Sequence, residues 1–170
     1  MRTLVSKFYS VLLVLACLSM MAAFAAIVLG IAAREFKWDI QGLDAYAGFS
    51  IAAALFLALP ETLKHGDHIR VTLVLQKLPV RVRNFFEYWS LAAGLGLTAY
   101  LAFFACRMVW TSYVTHDVSQ SADATPLWIP QISMAVGCIG FAVAFADALL
   151  ARIQNREFFP NGDADIARSE

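Results

Sequence analysis

Charge is what this chain has little of. Asp, Glu, Lys and Arg make up 15% of its 170 residues, against about 25% in soluble domains. The charges also cancel, 13 basic against 13 acidic. Without a basic excess to neutralise phosphates, nucleic acid is excluded as a partner. Cysteine is equally sparse. Cys17, Cys106 and Cys138 each sit alone in an apolar run, and with no CxxC spacing there is no zinc or disulfide framework. They read as small hydrophobic thiols packed among helices. No histidine falls in the middle of an apolar run, which removes the facing ligands that a haem-bearing helix bundle needs. Internal repeats are absent, as are paired interrupted helices of the kind secondary transporters use.

What remains is oil. The sequence is 60% hydrophobic, with mean hydropathy +0.64. A membrane-crossing helix needs about 20 apolar residues, and four stretches qualify: 8–33, 43–63, 85–113 and 127–151. They predict an all-α membrane protein of four transmembrane helices forming one membrane domain over 1–170. The first run follows Arg2 and Lys7 and contains Ala23-Phe24-Ala25, as a secretory leader would. It far exceeds the 7–15 apolar residues of a leader's core, so it is read as an uncleaved anchor.

Direction follows from lysine and arginine. Arg2, Lys7, Lys64, Arg70, Lys77, Arg81, Arg83, Arg152, Arg156 and Arg168 fall on one side of the spans, and only Arg34, Lys37 and Arg107 on the other. Both termini and the central link are therefore expected in the cytoplasm. Trp89 and Trp110 lie 21 positions apart, about 31 Å along a helix, so both can rest at opposite interfaces. Trp128, between Pro126 and Pro130, is a third interface anchor.

Small residues recur at helical spacing: Ala22, Ala26, Gly30 and Ala33; Ala92, Gly96, Ala99 and Ala102; Gly137, Gly140, Ala144 and Ala148. Such stripes permit close backbone approach in lipid. Gly96, Ala99, Gly137 and Gly140 are thus candidates for packing within this chain or against a partner.

The central link, HGDHIRVTLVLQKLPVRVRN, mixes charge with oil. On a helix, Val71, Val74, Leu75 and Leu78 share an apolar face, while His68, Arg70 and Lys77 lie elsewhere. Asp67 can cap its start and Pro79 marks its end. Alternation of Ile69, Val71, Leu73 and Leu75 also permits a strand, but a lone strand beside lipid leaves its edges unpaired. The expectation is an amphipathic interfacial helix over about 67–78, between the second and third spans. It would lie in acyl chains with its basic side, continued by Arg81 and Arg83, at anionic headgroups. His65 and His68 read as interfacial charge rather than a metal site.

Chemistry is thin. Glu61, Glu87 and Arg107 lie near span ends, where charge is tolerated more cheaply than at the midplane. Asp147 sits deeper, five residues inside Arg152. It is open to pairing with Arg81 or Arg83, to snorkelling, to packing on a partner, or to a role in transport. No converging polar groups of an enzyme are present.

With these residues in view, the chain resembles the small membrane subunit, of DctQ type, of tripartite ATP-independent periplasmic (TRAP) transporters. The likeness rests on Gly66-Asp67-His68-Ile69-Arg70-Val71, on Leu78-Pro79 with the arginines beyond, and on Ser121 with Pro126-Leu127-Trp128-Ile129-Pro130-Gln131. Arg34, Phe36, Trp38 and Asp44 add to it. One departure is Thr72, where the family pattern has an acid. The resemblance implies a bacterial inner-membrane complex in which a periplasmic solute-binding protein captures an organic acid. A large membrane subunit then moves it inward with sodium by an elevator motion. Sodium is expected in that large partner and no cofactor in this chain, which would grip the large subunit, contact membrane lipids and brace the scaffold. The residues alone also leave open a stand-alone homo-oligomeric transporter or channel, and a membrane enzyme or electron-transfer anchor.

Overall fold

The computed structural model describes residues 2–38, 40–64, 79–121 and 123–154. Four helices account for most of them: α1 (Arg2–Glu35), α2 (Leu43–Lys64), α3 (Val80–Val114) and α4 (Trp128–Ile153). All four are long and apolar enough to cross a membrane. The 22 residues of α2 rise about 33 Å and the 34 of α1 about 51 Å, against about 30 Å of hydrocarbon. The longer helices must tilt or project. The segment expected to form the interfacial helix, with Asp67, His68, Arg70, Val71, Val74, Leu75, Lys77 and Leu78, lies outside the described residues. Arg81 and Arg83 fall in the first turn of α3, and their side chains too lie outside the description.

The helices run up and down, so one end of the bundle, here called proximal, carries the start of α1, Lys64, Val80 and Ile153. The distal end carries both short connections. α1 lies along α2, α2 along α4, and α4 along α3. The chain is therefore two hairpins, α1–α2 and α3–α4, joined between α2 and α4.

On α1 the residues turned inward are Tyr9, Leu12, Ala16, Ser19, Ala23, Ala26, Gly30 and Ala33. Their spacing alternates three and four, the seam of a left-handed helix pair. The sequence stripe placed Ala22 on this face; Ala22 is exposed and Ala23 is the buried neighbour. A helix that is apolar all round carries no periodic signal to fix its register.

The junction of α2 with α4 turns on Pro60. A proline has no N–H, so the Phe56 carbonyl four residues earlier loses its helical donor. Gly137 of α4 faces that carbonyl. A Cβ at Gly137 would stand 2.4 Å from the Phe56 oxygen and 2.5 Å from its carbonyl carbon. Only glycine lets the two backbones meet here, and its Cα–H faces an acceptor the proline has released. One turn on, a Cβ at Gly140 would fall 2.9 Å from the Pro60 ring and 2.8 Å from Leu12. The same device recurs between α3 and α4, where Gly94 lies under the Phe145 ring. The interior is correspondingly rich in small side chains: Ala102, Ala105, Ala135 and Cys138 form one cluster, and Ala144 packs with Tyr9 and Leu63 in another. In lipid such contacts act through close packing rather than removal of surface from water.

Candidate functional site

Three places on the bundle gather polar or partner-ready groups. At the proximal end α3 and α4 are cross-linked. Arg152 donates from Nη2 to Glu87 Oε2 at 2.5 Å and to Asn84 Oδ1 at 2.9 Å. The Tyr88 hydroxyl donates to the Arg152 carbonyl at 3.3 Å, and the guanidinium lies over the Tyr88 ring. On α2, Lys64 pairs with Glu61 at 3.1 Å and stands over the ring of Tyr9. Tyr9 is buried among three helices, and its hydroxyl has no hydrogen-bond partner among the described residues. Half-buried Asp147 on α4 lies within electrostatic reach of that hydroxyl, as does Glu61. The alternative of pairing Asp147 with Arg81 or Arg83 rests on side chains outside the description.

At the distal end the α3–α4 connection is folded onto the α1–α2 turn. Val118 and Pro126 form an isolated bridge, and the Ser119 amide donates to the Thr125 carbonyl at 2.8 Å. Asp123 is its hub. The Ser121 hydroxyl donates to Asp123 Oδ1 at 2.5 Å, and the Thr125 hydroxyl donates to Oδ2. Each hydroxyl has one proton, so the 2.9 Å contact of Ser121 with Ser119 must be donated by Ser119. The Tyr46 hydroxyl lies 3.1 Å from that of Thr125. These donors, Ser121 first, then Thr125 and Tyr46, hold the Asp123 carboxyl down to about 2. Gly42, at φ +84°, closes against Asp123, where a Cβ would fall 2.8 Å from its carboxyl carbon. Beside this lock Arg34 and Asp44 pair at 2.7 Å, and Phe36 and Trp38 stack with ring centroids 5.3 Å apart. Arg34, Trp38 and Asp44, together with Gly30, Ala33 and Ser121, line an open cavity of about 360 Å³.

The third place is the outer face of α3. Among the described residues of this helix only Thr98, Ala102, Ala105 and Ser112 are buried. Gly96 has no atom within 4 Å of where a side chain would begin, and Ala99 is exposed beside it. Trp89 and Trp110 are 62% and 68% exposed on the same helix. Trp128 is different: it opens α4 half-buried, packed edge-on against Tyr113 at 5.8 Å. Gly137 and Gly140 are spent on contacts inside the chain, while Gly96 and Ala99 lie exposed. The stripes were equal in sequence, and only the fold tells them apart.

The Arg152–Glu87 link and the Asp123 lock were not read from the sequence. The first joins residues 65 positions apart. The second had a faint signal, the alternation of Ser119, Ser121, Asp123 and Thr125 in a polar connection.

No individual curated protein matches the chain. A family model does. The model described as "Tripartite ATP-independent periplasmic transporters, DctQ component" matches residues 23–155, from within α1 through the whole of α4. With four helices fit to cross a membrane and a match over most of its length, this chain belongs to the DctQ family and is a multi-pass small membrane subunit of a TRAP transporter.

Proposed function

We propose that this chain is the passive frame member of its transporter. It grips a large elevator-type subunit in the bacterial inner membrane and keeps that subunit's scaffold stationary while an organic acid and sodium move inward through the larger protein. An elevator produces net displacement only if its frame stays put. The observation that carries the reading is the division of labour between α4 and α3. α4 is sequestered by α2 and α3, whereas α3 presents an apolar face with a small-residue notch at Gly96 and Ala99. That notch admits a foreign helix at close range.

In this reading both termini and the 64–80 link face the cytoplasm, as the lysine and arginine asymmetry directs. The segment 67–78 lies flat in the cytoplasmic interface and resists rolling and sinking of the assembly. Trp89 and Trp110 mark the two interfaces of α3. The turn through Pro126, Trp128 and Pro130 stands on the periplasmic side, where the solute-binding protein docks.

Co-purification in mild detergent tests it. The chain brings down a larger polytopic membrane protein, and Gly96→Leu with Ala99→Leu weakens that capture while the isolated chain keeps its fold. In liposomes the chain alone moves no solute. Solute flux from the isolated chain, or full transport without a companion, would overturn the proposal.

A further inference from the structure

The distal cavity has the chemistry of a lipid-headgroup site. It opens where α1 ends and α2 begins, and the 22 residues of α2 rise about 33 Å, a length that would set this end near the headgroups. The stacked rings of Phe36 and Trp38, both well exposed, are of the kind that settles at that boundary. Its floor is apolar and is left open because Gly30 has no side chain. A Cβ there would rest 3.9 Å from both Leu43 Cβ and Asp44 Oδ1, so the space above Gly30 is accessible and a carboxylate oxygen borders it. One wall carries a cation and an anion together, Arg34 and Asp44, whose side chains are 72% and 84% exposed although they pair at 2.7 Å.

An ion pair so open to solvent adds little to folding, and neither group is saturated by it. A guanidinium presents five donors in a planar fork, of which Nη2 serves Asp44, and a carboxylate accepts at several lone pairs. Both can therefore turn to a ligand that carries the opposite charges side by side. A simple anion suits Arg34 but meets Asp44 and Asp123 nearby. A simple cation meets Arg34. A zwitterion satisfies both walls, and a primary ammonium supplies the N–H donors that Asp44 can accept, which a quaternary ammonium lacks.

We infer that this cavity binds the phosphoethanolamine headgroup of a membrane phospholipid, with the phosphate on Arg34, the ammonium on Asp44 and the glycerol end over Gly30. The site belongs to this chain alone and stands whether or not the bracing role holds.

The test uses the full chain in mild detergent, titrated with phosphatidylethanolamine, phosphatidylglycerol, phosphatidylcholine or inorganic phosphate, with bound lipid counted by native mass spectrometry. Phosphatidylethanolamine should be retained about fivefold better than the other two lipids, the worth of one exposed ion pair, and inorganic phosphate should not displace it. Arg34→Gln and Asp44→Asn should each abolish the preference. Gly30→Leu, which fills the floor, should do so with the ion pair intact, while Gly48→Leu, on an open face of α2 with no atom within 4 Å, should leave it unchanged. Should Gly30→Leu fail to fold by circular dichroism, the exposed Arg34→Gln decides. Equal retention of the three lipids, a preference that survives Arg34→Gln, or displacement by inorganic phosphate would overturn the assignment, the last marking a free-anion site instead.

Discussion

Replacing Gly137 with alanine adds one methyl group, yet the structure makes it a severe change. The new Cβ would stand 2.4 Å from the Phe56 oxygen and 2.5 Å from its carbonyl carbon, and Cβ atoms essentially never approach closer than 3.0 Å. The obstacle is backbone, so no side-chain rotation relieves it. Reaching an ordinary 3.4 Å requires α2 and α4 to separate by up to 1 Å. Separation also withdraws the Gly137 Cα–H from the carbonyl that Pro60 leaves without a donor, and opens the neighbouring Gly140 contacts. Overpacking of this kind costs about 1–3 kcal/mol. At about 2 kcal/mol the folded-to-unfolded ratio falls roughly 30-fold. The assay is unfolding of the purified chain by SDS in mixed micelles, followed by far-ultraviolet circular dichroism. Gly96→Ala is the matched control, because no atom lies within 4 Å of its new methyl. It should be neutral, or stabilising by up to about 1 kcal/mol through helix propensity. If Gly137→Ala unfolds at the wild-type SDS fraction, or if Gly96→Ala is as damaging, the account of the α2–α4 junction is wrong.

The proximal cross-link and the distal lock give two further tests. Arg152→Gln removes the 2.5 Å pair with Glu87; because both side chains are partly open to solvent, the expected loss is about 1 kcal/mol in the same SDS assay. No loss at all would show that the α3–α4 hairpin rests on apolar packing alone. For Asp123 the folded carboxyl titrates near 2 against an ordinary 3.8, so its contribution is fully present above about pH 4 and is lost as pH falls toward 2. Hydrogen exchange at the Ser119 and Leu127 amides should therefore be protected at pH 5 and above, and Asp123→Asn should speed it there. Loosening that begins near pH 6 would contradict the donor set described.

How much of this was legible beforehand depends on where polarity varies. The four helices follow from uninterrupted apolar runs bounded by polar turns, which is why their number and order could be read. The inward face of α1 could not: with Leu, Val, Ile and Phe on every side, lipid accepts all registers equally, and the choice of Ala23 over Ala22 comes from what α2 presents. A proline well inside an apolar run frees a carbonyl four residues back, and a glycine elsewhere is the natural group to meet it. The Asp123 hub was hidden for the opposite reason, since Ser, Thr and Asp are common in any connection and only the approach of Gly42 and Tyr46 makes them a unit. The Arg152–Glu87 pair needed the helix order, which no local pattern encodes.

The meeting of Phe56, Pro60, Gly137 and Gly140 holds no charge on either side. Each hairpin can enter the bilayer as a self-contained unit, with its partner recognised afterwards by contour alone: a ring and a bare carbonyl on one, two missing side chains on the other. Such a joint is indifferent to salt and to acidity on either side of the membrane. At this junction the halves of the subunit are thereby held by shape rather than by charge.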